Sequence, residues 1–325
     1  MTYVFAHRTA AFATHILPIR DAVANAPRCA FPDDAISGPS VQYATRLSSR
    51  LGINERLCLD FPNKSARKRG VAYIARVAQV TGEELFIPLG SGLYVPVPEL
   101  CFVQMASELS LPELIRFGFD LCGTYAPGHG SIKTIYQLSP LSTRQSLIEF
   151  CESHPYLDYA KKARGALNYV LDNSASPQES NLSIFFTLPF KYGGYAAPFP
   201  VLNVLYDKAR EDRFPDLYWP EYGIDMEFNG AEFHKEVTDD AVRRNQLQPN
   251  LRVFTVTGEM FRDLGLMDGL ALDFYAAAGK RFRPRTKDYD DKRKVLHKTL
   301  CSPEWYRRAA PSPYAFGEPK LDEEV

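Results

Sequence analysis

The segment that most constrains this chain is Asp216 to Asn229, where apolar and polar residues alternate on both sides of the tetrad Pro220-Glu221-Tyr222-Gly223. Side chains of a strand point alternately to its two faces, so a tight turn between two alternating runs predicts a β-hairpin with one buried face. With the turn centred between Glu221 and Tyr222, Trp219 opposes Ile224, Leu217 opposes Met226, and Pro215 lies across from Phe228. These six are all apolar and form the core side. The other face then carries Tyr218 opposite Asp225 and Asp216 opposite Glu227, with Asn229 continuing the row.

Directly opposed residues have Cβ atoms about 4.5–5.5 Å apart, and like charges at that distance repel. Two opposed carboxylates call for a cation or a shared proton, and oxygen ligands of this kind suit Mg²⁺ or Mn²⁺. Two alternatives stand beside this reading. The face could be the solvated outer side of an edge hairpin, or a bulge could slip the register by one residue.

Around the hairpin the pattern is mixed α/β. Ser176-Pro177-Gln178-Glu179 opens a helix, with Ser176 as N-cap and proline in the first turn. A strand over 197–205, a helix over 238–248, a strand over 252–257 and a helix over 268–279 complete an α+β domain with a mixed sheet flanked by helices. The polar break Asp172-Asn173-Ser174-Ala175-Ser176 divides the chain into an N-terminal domain, 1–173, and a second domain, 174–300. A tail, 301–325, is proline-rich and then acidic, and is expected to be partly disordered.

The N-terminal domain reads as mixed α/β, becoming helical toward its end. Strands are expected around 71–80 and 85–88, and helices over 9–17, 142–153 and 156–171. Ser110-Leu111-Pro112-Glu113 is a capping box opening a further helix.

With 45% hydrophobic and 24% charged residues over 325 positions, the chain can bury a full core without staples. A formal net charge of -1 means that any nucleic-acid partner must meet a local basic patch rather than a uniformly cationic surface. The six cysteines are scattered, with no C-x-x-C pair, which argues against zinc and against a disulfide framework. No apolar run approaches the roughly 18 residues of a membrane span, and no signal peptide is evident, so a cytoplasmic location is expected.

In order along the chain stand Ser176-Pro177-Gln178-Glu179, Asp216, Trp219-Pro220-Glu221, Glu227-Phe228-Asn229-Gly230, His234, Asp240-Ala241-Val242-Arg243 with Leu247, and Val253 to Thr257. This ordered set resembles the PD-(D/E)XK restriction-endonuclease-like superfamily, in the branch that includes very-short-patch mismatch-repair endonucleases. The resemblance spans about ninety residues. It implies a restriction-endonuclease-like domain over 174–300 that hydrolyses DNA phosphodiester bonds with Mg²⁺ or Mn²⁺, in DNA repair or in defence against mobile DNA and phage. Asp216 and Glu227, with Glu179, would be the metal ligands. His234 or Lys235 would orient the attacking water. The chain departs from the family in having Asn229 after Glu227-x, and in lacking the lysine of E-x-K.

Those departures keep open a second reading, a catalytically degenerate DNA-binding regulator of a toxin–antitoxin or abortive-infection type. Arg243 and Arg244 are candidate phosphate contacts. So is the stretch from Lys280 to Lys298, with nine Lys/Arg against three Asp, in which Lys280, Arg281, Arg283 and Arg285 come first. Lys64-Ser65-Ala66-Arg67-Lys68-Arg69 is a smaller basic loop. DNA is the expected partner. A homodimer, and a protein partner for the N-terminal domain, are further expectations.

Overall fold

The computed structural model describes residues 1–53, 55–67, 69–129, 132–206, 214–229, 251–284 and 287–302. They form a mixed α/β protein with eleven α-helices and three open sheets. The expected helix over 238–248 lies outside the described residues, as do His234, Lys235, Arg243, Arg244, Arg285 and the tail from 303 onward.

The first sheet holds β1 (Tyr3–Phe5), β2 (Leu57–Phe61), β3 (Tyr73–Val77), β4 (Phe86–Gly90) and β5 (Leu93–Pro96), in the order β3-β2-β1-β5-β4. Its central strand β1 is antiparallel to β2 and parallel to β5, and both β1 and β2 are buried along their whole length. The β4–β5 turn needs its glycines. Gly90 and Gly92 have φ of +86° and +74°, and a Cβ on Gly92 would sit 2.4 Å from the Met1 carbonyl oxygen.

Helix α1 (His7–Ala13) covers the first part of the helix expected over 9–17, and α2 (Leu17–Asn25) and α3 (Val41–Arg50) follow it without a counterpart in the sequence reading. After the sheet come α4 (Pro98–Met105) and α5 (Leu111–Cys122). The expected capping box of α5 is present, Glu113 accepting from the Ser110 backbone N–H at 3.0 Å. A two-stranded sheet, β6 (Tyr125–Ala126) with β7 (Ile135–Tyr136), leads to α6 (Arg144–Ser153) and α7 (Ala160–Ala166). The helix expected over 156–171 is therefore shorter. Tyr159, in the left-handed region at φ +67°, ends the preceding turn just before it.

The second half is built on α8 (Pro177–Thr187) and a four-stranded sheet in the order β11-β10-β9-β8. The strands are β8 (Val201–Leu202), β9 (Leu217–Trp219), β10 (Ile224–Asn229) and β11 (Arg252–Thr257). β8 is much shorter than the 197–205 expected, because Pro198 and Pro200 have no N–H to give to a ladder. β11 has the expected bounds and runs parallel to β10. Three helices follow: α9 (Gly258–Arg262), α10 (Leu264–Ala277) and α11 (Tyr289–Cys301).

The hairpin register is the expected one for three pairs: Trp219 with Ile224, Tyr218 with Asp225, and Leu217 with Met226. Trp219, Leu217, Ile224 and Met226 are wholly buried on one face. Trp219 meets Phe274 of α10 at 4.7 Å and Phe186 of α8 at 6.3 Å between ring centroids, and donates its indole N–H to the Pro198 carbonyl. Truncating such a residue costs about 3–5 kcal/mol.

One apolar cluster runs from Tyr3 through α5 and α8 to Leu300. A buried polar chain crosses the same junction. Arg116 pairs with Asp120 at 2.9 Å and donates to Asn181 at 2.9 Å, and the Tyr125 hydroxyl bridges Asp120 and Ser180 at 2.7 Å each. Helix α8, which carries Glu179, is thus clamped by the N-terminal half.

Candidate functional site

Three carboxylates lie buried around one face of the second sheet: Asp225, Glu227 and, reaching over from the first turn of α8, Glu179. This removes the alternative of a solvated outer face. β10 is an interior strand, Asp225 is wholly buried, and Glu227 is 8% exposed. In the parallel ladder Glu227 registers with Thr255 and Asn229 with Thr257, so the polar row continues across β11. A small apolar cluster of Tyr206 and Leu251, backed by Tyr218 and Val253, covers the other end of this face.

Glu179 performs part of the local role expected of a capping residue. Its N–H donates to Ser176 Oγ at 3.1 Å, and its carboxylate accepts from the Ala175 N–H at 2.9 Å. The same oxygen accepts from Asn203 Nδ2 at 2.8 Å. Burial pushes the Glu179 carboxyl above the usual range, against the pull of hydrogen bonds from Asn203, Ala175 and Ser176, and the charge of Glu227 adds to the rise. The charge of Glu227 is the smallest of these influences, and it puts the two carboxyls within electrostatic reach of each other.

Asp216 departs from the expected pairing. The ladder stops at Leu217, so Asp216 and Glu227 are not an opposed pair within it. Pro215 has no N–H, and its carbonyl accepts from the Asn203 N–H at 3.0 Å. The Asp216 side chain takes the Phe228 N–H at 2.8 Å instead. The carboxylate thereby sits against the β10 backbone one residue beyond Glu227.

The donor set is of hard oxygens, which fits Mg²⁺ or Mn²⁺ and not zinc. Among the described residues no group of three or more His, Cys, Asp or Glu side chains comes together at metal-ligating spacing.

Of the expected phosphate contacts, Lys280, Arg281 and Arg283 are exposed. Lys280 lies over the Tyr222 ring at 4.7 Å and donates to its hydroxyl, so it sits at the hairpin turn. The turn is the end of β10 away from Asn229, and a six-residue strand is about 20 Å long. Within α11, Arg293 is held by Asp268 at 3.0 Å and by Asp290, and Lys294 by Asp291. The smaller basic loop is closed by Asn63, which accepts from the Ala66 N–H at 2.9 Å.

Two features went unrecognised in the sequence. The alternation puts Asp225 on the polar face of β10 without marking it as a site residue, although a buried carboxylate in an interior strand is a signal in itself. The other is a cleft of about 460 Å³ between the start of α8, the ends of β10 and β11, α9 and the end of α11. Arg262 lines it, and nothing in the local sequence around Arg262 marks it as more than a helix-terminal residue.

Comparison with models of known protein families, with curated proteins and with solved structures finds no match. Among the described residues no helix is long and apolar enough to cross a membrane, and all six cysteines are free thiols.

Proposed function

We propose that the second half of this chain is a metal-dependent nuclease domain of restriction-endonuclease-like type, acting on DNA phosphodiester bonds. The observation that carries the reading is the burial of two carboxylates, Glu179 from α8 and Glu227 from β10, within electrostatic reach of each other. Burying like charges together is costly, and an interior that served only stability would use apolar residues there. A divalent cation offsets that cost.

Glu227 and Glu179, with Asp216 beside them, would hold Mg²⁺ or Mn²⁺. The ion would supply charge to polarise the scissile phosphate and lower the pKa of a bound water. The chain's own residues do the rest. Asn203 and the Ala175 N–H fix the Glu179 carboxylate, and the Phe228 N–H fixes that of Asp216. His234 and Lys235 remain the proposed groups for orienting water, and a cytoplasmic role in defence or repair belongs to the same proposal.

The second reading, a non-cleaving DNA-binding regulator, is favoured by Asn229 where the resembled branch has aspartate and by the missing lysine of E-x-K. Calorimetry with Mn²⁺ and Mg²⁺, together with nicking of a supercoiled plasmid, separates the two. Metal binding and nicking that both vanish in Glu227→Gln support the nuclease. Plasmid retention with neither metal binding nor nicking leaves the regulator.

A further inference from the structure

The cleft beside the carboxylates holds about 460 Å³, against about 20 and 40 Å³ in two other cavities of the described fold. It opens directly beside the proposed site. Gln178 precedes Glu179 in α8, and Phe228 and Asn229 follow Glu227 in β10, and all three residues line it. Its volume is in the range of small-molecule sites, about 300–1,000 Å³, and is too small for stacked base pairs.

The lining has a specific chemistry. Gln178, exposed in the first turn of α8, brings a side-chain amide able to donate and accept, which is what reading the edge of a base requires. Asn181 also borders the cleft, but its amide is committed to Arg116 and to the Leu300 carbonyl and forms wall. The half-buried ring of Phe228 offers a stacking surface. Arg262, exposed at the end of α9, presents a guanidinium suited to phosphate, while Glu259 on the same helix opposes a second negative charge.

We propose that this cleft takes up a single nucleotide out of its helical stack, with its phosphate at Arg262 and its base against the Phe228 ring, toward Gln178. The preferred substrate is then a single-stranded or locally opened DNA, because a base within a duplex cannot enter. The proposal rests on the nuclease reading for its biological meaning, but binding can be measured without cleavage.

The test is calorimetry of the whole protein with deoxycytidine and deoxyadenosine 5′-monophosphates, beside deoxyribose 5-phosphate and inorganic phosphate. One nucleotide is expected per chain, bound at least about tenfold tighter than inorganic phosphate. Arg262→Ala should weaken it by about tenfold or more and Gln178→Ala by a smaller factor, with unfolding temperatures unchanged. Cys301, an exposed thiol lining the same cleft, gives an independent readout: bound nucleotide should slow its alkylation. Equal affinity for nucleotide and phosphate, an unaltered Arg262→Ala, or Cys301 labelling indifferent to nucleotide would each overturn the proposal. Asp216→Asn should still bind nucleotide. A protein that binds nucleotide but never nicks DNA would retire the nuclease reading and leave the cleft standing, and one that nicks without binding nucleotide would do the reverse.

Discussion

The Asp216 carboxylate accepts the Phe228 backbone N–H at 2.8 Å, across the point where the β9–β10 ladder ends. One side chain thus satisfies a strand's backbone and offers a negative charge beside Glu227. The two roles separate by substitution. Asp216→Asn keeps an acceptor for the N–H and loses the charge, whereas Asp216→Ala loses both and strands a partly buried donor at a cost of about 1–3 kcal/mol. Calorimetry and thermal unfolding should show Mn²⁺ binding lost in both variants, with stability lowered only in Asp216→Ala. An Asp216→Asn protein that binds Mn²⁺ like the wild type would reduce Asp216 to a ladder cap.

Glu179 has an equally testable double character. Glu179→Gln keeps an oxygen for Ala175 and Asn203 and removes the repulsion with Glu227. In metal-free buffer at pH 8 the variant should unfold at a higher temperature than the wild type. Added Mn²⁺ should then raise its unfolding temperature by less than it raises that of the wild type, since a ligand stabilises in proportion to its occupancy of the native state. A purely local capping role predicts identical Mn²⁺ shifts in the two proteins.

How far the fold was legible depended on whether a segment's pattern had one solution. The β9–β10 register was readable because alternation on both arms of a tight turn admits only one pairing that buries Trp219, Leu217, Ile224 and Met226 together. β11 was readable for its run of β-branched residues. β1, three residues long and apolar throughout, has no alternation to distinguish it from the start of a helix, yet it is the centre of the first sheet. Asp216 was found in the right place and given the wrong neighbour, because the effect of Pro215 on the ladder end depends on Asn203, which pairing rules within the hairpin do not include. Glu179 could be nominated from the resemblance of the Ser176-Pro177-Gln178-Glu179 helix start, but its approach to Glu227 requires the packing of α8 across the sheet.

The clamp on α8 makes the N-terminal half part of the proposed site's support. Tyr125 is wholly buried and its hydroxyl bonds both Asp120 and Ser180. Tyr125→Phe removes two buried hydrogen bonds without creating a cavity, so it should destabilise by about 1–3 kcal/mol. Arg116→Met leaves Asp120 buried without its ionic partner and should cost about 3–5 kcal/mol. Denaturant midpoints give both values. If the N-terminal half only shelters α8, Mn²⁺ affinity at a temperature where Tyr125→Phe is fully folded will match the wild type. Weakened affinity there shows that the clamp positions Glu179.

Asp60 sets a pH dependence that is independent of the proposed site. It lies in β2, 3% exposed, and accepts from Gln104 Nε2 at 2.9 Å, while Gln104 in turn accepts the His7 N–H at 3.0 Å. Burial raises its carboxyl from 3.8 to about 6, with His7, Gln104 and Arg76 pulling the other way. A carboxyl with a higher pKa folded than unfolded binds its proton preferentially in the folded state. Its stabilisation is complete below pH 3.8 and is lost as the pH rises through about 6. The whole effect is about 3 kcal/mol, of which about 1.4 kcal/mol should be regained between pH 7.5 and pH 5. The buried pair His15 and His129 acts in the opposite sense, because burial lowers both imidazoles and acid then favours the unfolded chain. The measurement is therefore a difference: denaturant stability of wild type and Asp60→Asn at both pH values. The wild type should gain relative to Asp60→Asn on acidification, and a parallel response of the two proteins would show that Asp60 is already ionised in the fold at pH 5.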